Sequence, residues 1–142
     1  MNAPIVCERL YQVGRDLYQV GRDLLSARNC AHAPEPTLNR AAFFIQQAAE
    51  KLVKAVLIAH RIEPRWTHDI GELARRVPSD HPGQRRLSKF DRFTNFVVAF
   101  RHPSEQGEDV FPSAGEIDAW VAEIEELKAD FERWLPAREA TR

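Results

Sequence analysis

The chain has 142 residues, 44% of them hydrophobic and 29% charged, with a formal net charge of -1. That length supports one domain around one core, and the near-zero charge excludes whole-molecule attraction to nucleic acid, so any such attraction is local. No stretch approaches the roughly 20 apolar residues of a membrane span, and the N-terminus lacks a basic-then-apolar signal, which points to the cytoplasm.

The charge is segregated: residues 61–92 hold eight Arg/Lys against five Asp/Glu, whereas residues 104–132 hold ten acids against Lys128 alone. A basic middle facing an acidic C-terminal helix reads either as two solvated faces that partly neutralise each other or as a binding patch. Cys7 and Cys30 bracket the first helix, and at about 1.5 Å of rise per residue their backbones lie far beyond disulfide reach. Free thiols fit a reducing compartment.

In chain order, Val6, Leu10, Val13, Leu17, Val20 and Leu24 alternate spacings of four and three and predict a first helix from about Ile5 to Arg28. Within it the heptapeptide Tyr-Gln-Val-Gly-Arg-Asp-Leu occurs twice without change, at Tyr11 to Leu17 and Tyr18 to Leu24. Seven residues are nearly two helical turns, so the repeat keeps the apolar face and lengthens the helix by about 10 Å. It reads as an accident of duplication rather than a dedicated coiled-coil arm, which would project past the bundle and could pair with another chain. Gly14 and Gly21 each cost roughly 1 kcal/mol relative to Ala, so tertiary contacts must hold this helix.

Asn29 to Pro36 is the connection, and Thr37 is the expected N-cap of a second helix reaching about Arg61. Its seam of Ala41, Ile45, Ala48, Leu52, Ala55 and Ala59 is widened by Phe44, Val53, Val56 and Leu57. This is therefore the central helix, with Phe43 and Phe44 expected to fill the bundle end. A short helix from about Asp69 to Val77 is stopped by Pro78, and Ser79 to Gln84 is a loop. Leu87 to Phe100 returns to helical spacing through Phe90, Phe93, Val97 and Phe100, an aromatic stripe expected in the core. Ser113 with Glu116 is a capping box opening a last helix whose seam is Ile117, Val121, Ile124, Leu127, Phe131 and Trp134. The fold class expected is all-α: an antiparallel up-down bundle of four long helices, with a short helix between the second and third.

Arg40, Gln47, Lys54 and Arg61 fall at intervals of seven on the second helix, with Glu50 and Lys51 between them. They predict one polar stripe on its exposed edge, either simply solvated or lining an anion or nucleotide groove. Arg101, His102 and Pro103 end the fourth helix. A guanidinium near the buried side there must be paired or face a cleft, and His102 is either a C-terminal cap or an acid-base group. His68 and Asp69 open the short helix, where Asp69 suits an N-cap. His60 and His81 stand alone. No zinc spacing, Gly-rich phosphate loop or Ser elbow is present, so no metal or other cofactor is implied.

Phe43-Phe44-Ile45-Gln46-Gln47-Ala48-Ala49-Glu50-Lys51-Leu52-Val53-Lys54-Ala55, then Thr67-His68-Asp69-Ile70 leading to Leu73, then Phe100-Arg101-His102-Pro103, resembles the HEPN domain family in that order. The resemblance covers about Asp23 to Leu135. It implies a four- to five-helix bundle, usually a homodimer, of a kind often encoded beside a minimal nucleotidyltransferase as a two-component, toxin–antitoxin-like pair. The implied function is nucleotide or RNA binding through Gln47, Glu50, Lys51, Lys54, His68, Asp69 and Arg101. HEPN ribonucleases resemble one another in an Arg followed four to six residues later by a His; here those places hold Glu105, Gln106 and Gly107, with Glu108 beyond them. His102 is adjacent to Arg101 instead, similar to the Arg-Tyr-Pro of the non-ribonuclease branch. The alternatives are a metal-independent ribonuclease toxin using Arg101 and His102, and a structural dimerisation module built on the lengthened first helix.

Overall fold

In the computed structural model, the described residues are 3–64, 66–94 and 112–135, with side chains from residue 8 onward. They form α1 (Ala3–Ala31), α2 (Leu38–Ala59), α3 (Ile70–Arg75), α4 (Gln84–Ser88), a 3-10 helix (Lys89–Phe93) and α5 (Ala114–Trp134). No strand occurs among the described residues.

Paired residues climb one helix as they descend the next, which makes the neighbours antiparallel. Asp23 of α1 meets Lys51 of α2, and Arg9 and Gln12 share a surface depression with Ile58 and Arg61. Likewise Arg28 meets Glu125 and His32 meets Asp118, so α5 runs against α1. Arg86 with Asp130 and Arg92 with Glu123 set α4 and the 3-10 helix against α5. Helix α2 is central: it packs on α1, α3, the 3-10 helix and α5.

The core follows the apolar seams. Val13, Leu17, Val20 and Leu24 of α1, nearly the whole expected seam of α2, and Ile117, Val121, Ile124, Leu127 and Phe131 of α5 are buried. Small side chains at Ala41, Ala48 and Ala55 let neighbouring helices approach α2 closely. Helix α5 opens with the capping box: Glu116 N–H donates to Ser113 Oγ at 3.0 Å and Ser113 N–H to Glu116 Oε1 at 2.9 Å. Asp69 caps α3 by accepting from Glu72 N–H at 3.1 Å.

Several expectations are corrected. Thr37 sits at the N-cap of α2 but its side chain makes no cap hydrogen bond. Helix α2 ends at Ala59, and Arg61 adopts φ 62°. Ile62 N–H reaches back to the Leu57 carbonyl and Arg61 N–H to that of Ile58, so this left-handed residue closes the helix where glycine is the usual choice. Phe43 does not fill the bundle end; it is an exposed large apolar residue, although its ring meets Phe44 edge-on. The expected helix from Leu87 is, in its described part, a short α-helix followed by a 3-10 segment that buries Phe90 and Phe93. Val97 and Phe100 lie outside the described residues.

Because the two heptapeptides repeat core and edge positions together, deleting residues 18–24 brings Val13, Asp16 and Leu17 into the places of Val20, Asp23 and Leu24. The expected outcome is a folded chain with unchanged fractional helicity by circular dichroism, whereas Leu24→Ala in the full chain lowers unfolding free energy by about 2–5 kcal/mol in urea.

Candidate functional site

The polar edge of α2 is built around two buried carboxylates. Glu50 is 5% exposed and Asp23, facing it from α1, is 4% exposed. Removing a carboxylate from water is tolerated only when its oxygens are hydrogen-bonded and its charge is compensated. Around Glu50 the Gln46 amide donates at 3.0 Å, Lys54 Nζ at 2.8 Å, and His68 Nδ1 approaches at 3.1 Å. A carboxylate oxygen accepts, so in this contact the donor is His68 Nδ1–H, on a side chain that is 81% exposed. Asp23 receives Lys51 Nζ at 2.8 Å and the Gln19 amide at 3.2 Å. Among the described residues no buried side-chain N or O atom is without a partner.

Asp16 occupies the equivalent position one heptapeptide earlier and accepts from Gln12 at 3.0 Å, as Asp23 does from Gln19. Burial pushes its pKa up, an effect opposed by the Gln12 hydrogen bond and the nearby cations Arg15, Lys54 and Lys51. Three carboxylates thus alternate with two lysines along the α1–α2 seam. Each ammonium uses one donor on a carboxylate and has others left for a ligand.

The expected stripe is therefore only partly an exposed edge. Arg40 is exposed, as is Arg61 beyond the helix end, but Gln47, Lys51 and Lys54 are half-buried and Glu50 is buried. The acidic edge of α1 and the turn carrying His68 close over the middle of the stripe. Gln47 bonds to Gln46 at 2.8 Å and supports the residue that holds Glu50. Asp69, directly after the exposed His68, is occupied as a helix cap. Arg101 and His102 lie outside the described residues. Asp16 and Asp23 were missed from sequence; the available signal was a repeated Gln-x-x-x-Asp spacing on the border of the α1 apolar seam. No group of three or more His, Cys, Asp or Glu among the described residues is arranged to hold a metal ion.

His60 and His81 do not stand alone. Their rings meet edge-on at 4.9 Å, and Trp134 meets His81 edge-on at 5.5 Å. His81 is buried, and its Nδ1 accepts from Gly83 N–H at 3.0 Å. Desolvation and, second, the neighbouring His60 depress the His81 pKa below its usual value, against a smaller opposite pull from Asp80. This cluster pins the loop before α4 to the end of α5.

Two outcomes follow. Glu50→Ala leaves Lys54 and Gln46 half-satisfied, and it should lower unfolding free energy in urea by about 3 kcal/mol, the low end for a broken buried pair because Lys54 retains some water contact. For His81, the unfolded chain binds the proton more readily than the folded one, so its contribution is fully present above the unfolded pKa. It is lost as pH falls from the unfolded value of about 6.5 toward the depressed folded value. Thermal melts from pH 8 to 5 should therefore show a decline on acidification that His81→Gln flattens.

A family model described as HEPN domain matches residues 17–134. No curated protein and no solved structure matches the chain. With an all-helical bundle and a match over most of its length, the chain belongs to the HEPN domain family.

Proposed function

We propose that the chain is a nucleotide- or RNA-binding HEPN module, acting as a homodimer and as the non-catalytic partner of a minimal nucleotidyltransferase in a two-component, toxin–antitoxin-like pair. The observation that carries this is the gathering of Lys51, Lys54 and His68 on two buried carboxylates at one edge of the central helix. Asp23 and Glu50 hold the two ammonium groups in place before any ligand arrives, which lowers the ordering cost of binding an anion. The exposed His68 ring borders this edge, and Trp66, two residues away, is fully exposed and offers a flat face to a base. In this proposal Gln47 and Asp69 position their neighbours, Glu50 organises the cations, and Arg101 adds a further phosphate contact.

Titration calorimetry with ATP and AMP tests the cleft directly. Binding by the wild-type chain should weaken about tenfold or more in Lys54→Ala, the loss of one charge-assisted hydrogen bond. Absence of heat with every mononucleotide removes the nucleotide part of the proposal. Failure of a co-expressed minimal nucleotidyltransferase from an adjacent reading frame to co-purify removes the partner.

A further inference from the structure

Among the described residues the cations of the α2 edge, Lys51, Lys54 and His68, are matched by carboxylates, yet the outer side of α1 carries cations that are not. Between Tyr11 and Asn29 the exposed side chains of α1 include Arg15, Arg22 and Arg28 and no acid, because Asp16 and Asp23 turn toward α2. Arg28 is paired with Glu125, but Arg15 and Arg22 form no ion pair among the described residues. This strip is locally cationic in a chain whose net charge is -1.

The same strip is aromatic. Tyr11 is 69% exposed and Tyr18 is 68% exposed, and the Arg15 guanidinium lies 6.0 Å from the centre of the Tyr11 ring. The exact repeat sets Arg22 four residues after Tyr18 on the same helix face, as Arg15 follows Tyr11, although of the two only Arg15 approaches its ring among the described residues. Gly14 and Gly21 lie beside the rings, and a Cβ added at either would meet nothing within 4 Å, so the space above the backbone is open. Leu10, Tyr11, Gly14, Arg15, Tyr18 and Gln19, with Asp16 and Lys51 toward α2, line an open concavity of about 810 Å³ there.

We infer that this face of α1 is a binding platform for single-stranded nucleic acid, with bases laid on Tyr11 and Tyr18 and phosphates taken by Arg15 and Arg22. Alternating aromatic faces and cations along a groove are the chemistry that holds single strands without reading their sequence. Access to base faces separates a single strand from a duplex, because a tyrosine can stack only on a base that is unpaired and free to leave its neighbours. Residues seven apart are about 10.5 Å apart along a helix, roughly three nucleotides at about 3.4 Å each. Charge separates a polyanion from a second copy of this chain, since two such strips facing each other would oppose arginine with arginine. The platform adjoins the α2 edge through Asp16 and Lys51, but its tyrosines and arginines take no part in the proposed nucleotide contacts there. The family match begins at Leu17, the last residue of the first heptapeptide, so the first Tyr–Arg pair lies outside the matched span.

Fluorescence anisotropy with labelled 12-nucleotide U-tract RNA and T-tract DNA, using the full chain at low salt, tests this. Tyr11→Ala and Tyr18→Ala should each weaken binding about fivefold or more, while Tyr→Phe at both positions retains it. Arg15→Gln and Arg22→Gln should each reduce the slope of log affinity against log salt by about 0.7. Deleting residues 18–24 should weaken the 12-mer as the single tyrosine substitution does. Lys54→Ala, which tests the cleft, should leave the tyrosine dependence unchanged. The RNA and DNA arms identify which strand is preferred. The inference is overturned if the wild-type chain binds neither oligonucleotide, if binding is indifferent to both tyrosines, or if the substitutions change only oligomeric mass by sedimentation, which would assign the face to a second copy.

Discussion

Two carboxylates beneath the α1–α2 seam constrain most of what surrounds them. Asp23 and Glu50 are out of reach of water, and a buried unpaired carboxylate would not stay ionised. Their compensation ties three segments together: α1 through Asp23, α2 through Glu50, Lys51 and Lys54, and the turn before α3 through His68. Yet this constraint alone does not choose a register, because α1 shifted by one heptapeptide would present Asp16 where Asp23 sits and renew the apolar seam. The choice is made at the other end. Thr37 N–H bonds to the Cys30 carbonyl, and Arg28 with Glu125 and His32 with Asp118 join the last turns of α1 to α5. None of these contacts has a copy seven residues earlier.

Apolar seams of α1, α2 and α5, the Ser113 capping box and the Asp69 cap were legible in sequence because each is a local pattern with one structural solution. Burial of Glu50 was not. On the helix surface it lies between Gln47 and Lys54 and reads as solvated; only the arrival of the His68 turn and the acidic border of α1 encloses it. Arg61 continues the interval of seven, but a period cannot reveal that the backbone has already turned left-handed. Phe90 and Phe93 are three apart, a spacing that suits both a 3-10 turn and an α-helix, so the expected long helix could not be told from the observed break. His60 and His81 are separated by a helix end, a turn and α3, which hides their ring contact from any local reading.

Net charge is similarly uninformative about where charge is free. The basic middle segment and the acidic last helix neutralise each other in part through Arg86 with Asp130 and Arg92 with Glu123. Asp130 accepts from Arg86 first and also from Arg133, and these guanidinium groups hold its pKa below the usual carboxylate range. The lysines of α2 are matched by Asp23 and Glu50. Subtracting these pairs leaves, among other cations of the described residues, Arg15 and Arg22 on the outer face of α1, with Arg40, Arg61, Arg75, Arg85 and Lys89 scattered over other elements.

The repeated heptapeptide acts on three faces of one helix at once. Seven residues fall short of two whole turns by only about 20°, so each copy continues the buried Val–Leu seam, the bordering Gln–Asp pair and the outer Tyr–Arg pair of the other. An insertion of five residues would have rotated the later half by more than a quarter turn and exposed the core seam. A repeat of this length leaves the packing of α1 on α2 in phase, and the same arithmetic doubles the outer aromatic and cationic positions. Structural tolerance and the gain of a longer surface thus have a single origin in the helical repeat.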